Sequence, residues 1–167
     1  MFTRLKFTAL VFLVTLGLDW GSKLWAVQTL PALQLNALGN SGPFFLAWGI
    51  NQNLSGGLSA LRPLTGLLLV AMLGVGYLFV NWGRGPLPLA GIGFIWAAIV
   101  GNGLERLVTG GGIDFLGLAL PNQTLIVANL ADLIALLGLL CLILATFLPS
   151  RYGWVEPIRL GHRIYQP

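Results

Sequence analysis

Residues 125–148 read LIVANLADLIALLGLLCLILATFL, and Asp132 is the only charged side chain among them. A membrane-spanning helix needs about 20 mostly apolar residues, and this stretch supplies them. A carboxylate at the centre of such a helix costs on the order of 2.5–3.5 kcal/mol on insertion scales, so acids inside membrane helices are generally paired or functional. The stretch therefore predicts a membrane span and indicates that Asp132 is either paired or functional.

Three further stretches meet the same criterion. In the chain of 167 residues, 56% are hydrophobic and 8% are charged, whereas soluble domains average about 25% charged. We predict a single membrane domain over residues 1–167, with a C-terminal tail at 149–167. Its four spans lie at about 7–27, 61–80, 87–107 and 125–148.

The first span contains Asp19 and Lys23, which distinguish it from a cleaved signal peptide despite its basic start. Four residues separate the two side chains, so they share a helix face, with the acid in the favourable N-terminal position. We interpret them as an ion pair that makes both charges tolerable in the membrane.

Lysine and arginine in short loops mark the cytoplasmic side of a membrane protein. One side carries six such residues: Arg4, Lys6, Arg84, Arg151, Arg159 and Arg163. The opposite side, with its two long loops at about 28–60 and 108–124, carries only Arg62, which lies at the edge of the second span. We therefore predict cytoplasmic termini and outward-facing loops, in which short β elements are expected. The net charge of +4 then reflects membrane topology, and nucleic acid is not an expected partner.

This topology brings Asp19, Asp114 and Asp132 toward one face of the membrane. Asp114 and Asp132 flank a single outer loop, so they can approach within a few ångströms. Two such carboxylates cannot easily be ionised at the same time. They share one proton instead, as in aspartic proteases. The charged member can take a proton from water while the protonated one polarises a peptide carbonyl. With one histidine and one cysteine in the chain, neither a metal site nor a cofactor is expected.

Other polar residues have two interpretations each. Asn102 and Arg106 share a face at the end of the third span. They can be interpreted as a polar cap at the interface or as groups that orient a substrate or lipid. Asn129 and Asp132 are three positions apart where the fourth span begins. They can be interpreted as a helix cap or as a functional pair.

Five blocks, in order along residues 10–148, resemble the lipoprotein signal peptidase (signal peptidase II) family of bacterial membrane aspartic proteases. They are DWGSK at 19–23, NSGPFF at 40–45, GNGLER at 101–106, GIDF at 112–115 and ANLADL at 128–133. The resemblance implies an all-α integral membrane fold with four transmembrane helices and a small extracytoplasmic β-containing lobe.

It also implies removal of the signal peptide from diacylglyceryl-modified prolipoproteins, at the outer face of the bacterial cytoplasmic (inner) membrane. The catalytic pair would be Asp114 and Asp132. The other matched residues would bind substrate or support the pair: Asp19, Lys23, Asn40, Gly42, Asn102, Arg106 and Asn129. Expected partners are the prolipoprotein and membrane lipids, and the enzyme is expected to be a monomer.

The chain departs from the family pattern at several positions, which bear on substrate range and rate more than on reaction type. Pro43 and Phe44 replace two alanines, Glu105 replaces an aspartate, and Leu133 replaces a small hydroxyl residue. Two other readings remain. A small ion-coupled carrier would use intramembrane Asp19, Lys23 and Asp132, but it predicts inverted repeats, which the sequence lacks. A non-catalytic, lipoprotein-binding family member is the other.

Overall fold

The computed structural model describes residues 2–33, 43–51, 72, 76, 85–120 and 125–148. Within these ranges it contains three helices and three strands. In chain order they are α1 (Phe2–Thr29), β1 (Phe44–Asn51), α2 (Pro86–Thr109), β2 (Gly112–Ala119), β3 (Leu125–Ala128) and α3 (Leu130–Phe147).

All three helices are long and apolar enough to cross a membrane. They lie at the first, third and fourth predicted spans, and many of their large apolar side chains point outward, as a lipid-facing surface requires. The second predicted span, 61–80, and the tail at 149–167 lie outside the described residues, except that Met72 and Gly76 are helical. A Cβ atom at Gly76 would overlap the Trp96 indole, so Gly76 lies directly against α2.

The helices pack through small residues, because small side chains let helix backbones approach closely. Gly91 of α2 and Gly138 of α3 face each other, and a Cβ on either would lie 2.9 Å from the carbonyl oxygen of the other. Gly93 packs against α1 in the same way, because a Cβ added at Gly93 would lie 2.9 Å from the Thr8 carbonyl oxygen. Helix α2 therefore packs between α1 and α3.

The strands form one antiparallel sheet in the order β1-β2-β3. Gly110 has φ 80°, a left-handed conformation that glycine adopts without strain, and it ends α2 two residues before β2 begins. Strand β3 leads directly into α3. The sheet therefore lies at the end of the helices where α2 finishes and α3 starts.

The fourth span begins later than about Leu125, where the sequence analysis placed it. Residues Leu125–Ala128 form β3 and pair with β2, and the helix starts at Leu130. The apolar run continues across this boundary, so hydropathy does not detect it. The β-branched pair Ile126-Val127 and the capping residue Asn129 are the local signals that mark the change.

Candidate active site

Asp114 lies on β2 with its side chain buried, only 3% exposed. Its two oxygens accept hydrogen bonds from two different amides. Asn129 Nδ2 donates to Oδ1 at 2.7 Å, and Asn51 Nδ2 donates to Oδ2 at 2.7 Å. Asp114 is therefore not a solvated loop acid, and its position is defined from two sides.

Asp132 lies in the first turn of α3 and forms a capping box with Asn129. The Asn129 side chain accepts from the Asp132 backbone N–H at 3.2 Å, and Asp132 Oδ2 accepts from the Asn129 backbone N–H at 3.1 Å. Asp132 Oδ1 accepts from Asn102 Nδ2 at 2.9 Å. The capping interpretation is therefore confirmed, because Oδ2 caps the helix, and Oδ1 remains directed toward Asn102.

The two carboxylates are joined through two asparagine side chains. Asn129 Nδ2 donates both to Asp114 and, at 3.1 Å, to Asn102 Oδ1. Asn102 in turn donates to Asp132. The resulting chain, Asp114–Asn129–Asn102–Asp132, brings together β2, α2 and the start of α3.

The surroundings of Asp114 act on its pKa in opposite directions. Burial raises the pKa of Asp114, and the nearby charge of Asp132 raises it further. The hydrogen bonds from Asn51 and Asn129 and the charge of Arg106 lower the pKa, but the net direction is upward. The charge of Asp132 is therefore close enough to affect the ionisation of Asp114.

Asp19 and Lys23 form the expected ion pair, with Nζ 2.9 Å from Oδ2, and both side chains are buried. The pair also reaches the site. Asp19 Oδ1 accepts from the Ala131 backbone N–H at 2.9 Å, and Lys23 Nζ donates to Asn102 Oδ1 at 2.9 Å. Helix α1 thus caps α3 with one charge and orients Asn102 with the other.

Glu105 and Arg106 sit on either side of this network. Glu105, which stands in place of the family's aspartate, lies 3.0 Å from Lys23 Nζ. The Arg106 guanidinium lies beside Gly112, and among the described residues no acceptor reaches its buried Nη1. Its positive charge acts on Asp114.

A cleft of about 350 Å³ opens beside Asp114. Its walls combine one carboxylate and one amide with apolar side chains: Leu33, Gly49, Ile50, Asn51, Asp114, Leu125 and Val127. Within the described ranges, no three His, Cys, Asp or Glu side chains converge as a metal site would require.

Seven of the nine predicted site residues belong to the described residues, and all seven lie in or beside this network. Asn40 and Gly42 lie outside them. Asn51 was missed by sequence reasoning, because it lies outside all five blocks. The only signal for it was an amide at the end of a predicted outer β segment.

Known proteins resemble this chain over most of its length. A family model described as signal peptidase (SPase) II matches residues 11–148. A lipoprotein signal peptidase of Cyanothece sp. is 34% identical over 160 residues, covering 87% of this chain and 85% of the relative. One of Synechocystis sp. is 35% identical over 136 residues, covering 79% and 82%.

Two solved structures, each described as a bacterial membrane enzyme, share the fold. Both have a TM-score of 0.66 and 18% sequence identity. The matches cover 84% and 83% of this chain, and 87% and 91% of the solved chains. The architecture of apolar helices with a small antiparallel sheet is therefore one that these two solved structures share.

Proposed function

The chain belongs to the signal peptidase II family of membrane proteases, and on that premise we propose that Asp114 and Asp132 are the catalytic pair with which it removes signal peptides from prolipoproteins. Endopeptidase activity on prolipoproteins follows from the family. The observation that carries the residue assignment is the pair of carboxylates joined through Asn129 and Asn102.

The proposed reaction uses one water molecule held between the two carboxyl groups. The ionised carboxylate takes a proton from the water, and the oxygen attacks the scissile carbonyl carbon. The protonated carboxyl donates to the carbonyl oxygen, giving a neutral tetrahedral diol. The carboxyl that took the water proton then passes it to the peptide nitrogen, while the other carboxylate takes a hydroxyl proton from the diol. The C–N bond breaks to give a carboxylic acid and an amine, and the pair again holds one proton. Either carboxyl group can serve as the base in this scheme.

Asn102 and Asn129 support this chemistry by holding the carboxylates. Each donates an N–H to a carboxylate oxygen, and neither amide titrates, so they position the acids without competing for the shared proton. A shared proton requires the acids to stay close, since the interaction between them falls as they separate.

The substrate is proposed to enter the cleft beside Asp114. Apolar walls from Leu33, Ile50, Leu125 and Val127 suit apolar side chains of a signal peptide. By the family resemblance, the cleaved bond precedes a diacylglyceryl-modified cysteine, whose acyl chains would lie among outer-leaflet lipids. The lipid-facing helices that carry the site support this arrangement.

The proposed setting is the bacterial inner membrane, with four spans, both termini in the cytoplasm and the site near the outer face. The distribution of basic residues supports the orientation. The contact of Gly76 with Trp96 supports a second span packed on α2. A monomer is proposed as the working unit.

The first prediction tests the catalytic pair with purified protein and a diacylated prolipoprotein peptide. Asp114→Asn and Asp132→Asn are each expected to lower kcat by at least about 10²-fold, because each removes a group that transfers a proton. Glu156→Gln, which neutralises a carboxylate in the C-terminal tail, is the matched control and should cleave normally. Near-normal activity in either aspartate variant would contradict the assignment. A wild-type protein that binds the peptide without cleaving it would favour a non-catalytic member.

A further inference from the structure

Asp114 is held on its second oxygen by a residue that none of the five sequence blocks contains. Asn51 is the last residue of β1, and its Nδ2 donates to Asp114 Oδ2 at 2.7 Å. The first oxygen is held by Asn129 from the N-terminus of α3. One amide therefore approaches the carboxylate from the sheet and the other from a helix.

A β-bulge determines which residue of β1 faces Asp114. Leu46 lies opposite Leu116 and Gly49 lies opposite Asp114, so three steps along β1 match two steps along β2. Side chains alternate between the faces of a strand, and one extra residue reverses that alternation. In a regular ladder Ile50 would share the face of Asp114. With the bulge, the amide at the end of β1 takes that face instead.

The bulge is anchored by the segment that follows α1. The Trp48 backbone N–H donates to the Pro31 carbonyl at 3.1 Å, and the Leu33 N–H donates to the Trp48 carbonyl at 2.8 Å. The backbone groups that the bulge turns away from β2 are thus satisfied. The irregularity in β1 is therefore a bonded feature of the fold that connects the end of α1 to the site.

The β-bulge that contains Trp48 turns the Asn51 side chain toward Asp114. We propose that Asn51 is a positioning residue for Asp114 and that it keeps the carboxylate in its reactive orientation and charge state. This rests on the proposed function, because it assigns Asn51 to the pair that hydrolyses the peptide. Asn51 and Asp114 line the same cleft, so the amide acts where the substrate is expected to lie.

The charges around Asp114 make the role measurable. Asp132 faces it from α3 and Arg106 from α2, while the Asp19–Lys23 pair of α1 contacts Asn102 instead. Among the influences that lower the pKa of Asp114, the hydrogen bond from Asn51 is the largest. Removing that donor leaves burial and Asp132 less opposed, so the pKa should rise.

Two variants of similar shape test the proposal. Asn51→Leu removes the donor, and Asn51→Asp replaces it with a second negative charge. For Asn51→Leu we expect kcat to fall on the order of tenfold, with KM within about twofold because uniform binding is retained. The alkaline limb of kcat/KM, at which the pair loses its shared proton, should move upward. Asn51→Asp should move that limb further, because a nearby like charge also raises the pKa.

Ile126→Ala is the matched control, since it truncates an exposed side chain of the same sheet. Its alkaline limb should stay at the wild-type position. A purely structural role for Asn51 would instead lower activity by the same factor at every pH, together with Tm. That result, or a wild-type alkaline limb in Asn51→Leu, would overturn the inference.

A different result would refute the proposed function, namely that Asp114→Asn or Asp132→Asn still cleaves the substrate. If those two variants are inactive and Asn51→Leu behaves as wild type, the catalytic pair stands and only the role of Asn51 is refuted.

Discussion

Asn102 has only one carboxamide orientation that satisfies all of its neighbours. Its Oδ1 accepts from Lys23 Nζ and from Asn129 Nδ2, and its Nδ2 donates to Asp132. A flipped amide would place its NH₂ group against two donors, and an ammonium group has no acceptor. Lys23 therefore determines which end of Asn102 faces the carboxylate, although Lys23 itself does not contact either acid of the catalytic pair among the described contacts.

A second prediction concerns Lys23→Met, which keeps an unbranched chain of similar length and removes the charge. Asp19 and Glu105 would then be left buried without their cation. Breaking a buried pair in this way costs about 3–5 kcal/mol. We expect a lower Tm and a loss of activity. Lys6→Met, which changes an exposed lysine of the same helix, is the control. A variant with wild-type Tm and kcat would contradict the role of Lys23 in the network.

The third prediction concerns the pH dependence of cleavage. The pKa of Asp114 lies above its ordinary value of 3.8, chiefly because the carboxyl is buried. As pH rises through the raised pKa of Asp114, the pair loses its shared proton, and no protonated carboxyl remains to polarise the carbonyl. The alkaline limb of kcat/KM should therefore lie above pH 3.8. The measurement is a pH profile with a peptide that carries no titratable group near the scissile bond. An alkaline limb at or below the ordinary value would contradict the prediction.

At the scale of elements, α1 does more than anchor the chain in the membrane. Asp19 caps α3 through the Ala131 N–H, and the same carboxylate also lies close against α2. Gly101 makes the approach possible, because a Cβ at that position would lie 2.6 Å from Asp19 Oδ2. The small residue at this crossing thus fixes the position of the carboxylate that caps α3.

The fourth prediction compares two glycines. Gly101→Ala should displace Asp19 and separate α1 from α2, at about 1–3 kcal/mol for overpacking. Gly21→Ala is the control. A Cβ added at Gly21 would meet no described atom within 4 Å beyond its own turn of helix, and alanine favours helix formation. Thermal unfolding in one detergent, with cleavage in parallel, measures the difference. Equal Tm values for the two variants would contradict close packing at Gly101.

Elements could be predicted where the sequence pattern is long and uniform. The apolar runs located α1, α2 and α3. The start of α3 was missed, because Leu125–Ala128 is as apolar as the helix that follows it. Pairing with β2 determines that segment, and pairing depends on residues distant in the chain.

For the whole molecule, the arrangement places the site at one end of a helical membrane body. The ends of α1 and α2, the start of α3 and the sheet all meet there. A site at the boundary between helices and sheet can reach water on one side and lipid on the other. Such a position suits an enzyme whose substrate carries both a peptide and, as proposed, acyl chains.

The fifth prediction tests the orientation of the chain. In a Cys141→Ser background, single cysteines at Gln52 and Gln123 should react with a membrane-impermeant maleimide added outside intact cells. Cysteines at Gly83 and Ser150 should react only after the membrane is opened, because the basic residues mark that side as cytoplasmic. Labelling of position 83 from outside would contradict a second span at 61–80.

The sequence by itself determined that the chain enters the membrane, which helices carry acids, and that Asp114 and Asp132 fall near one face. These properties follow from composition, periodicity and the alternation of loops, which are local in the chain. Tertiary structure decided the contacts that give those acids a chemical environment: the amides of Asn51, Asn102 and Asn129, and the reach of α1 to α3. A bulge, a strand register and an amide orientation depend on partners far away in sequence, so no local pattern specifies them.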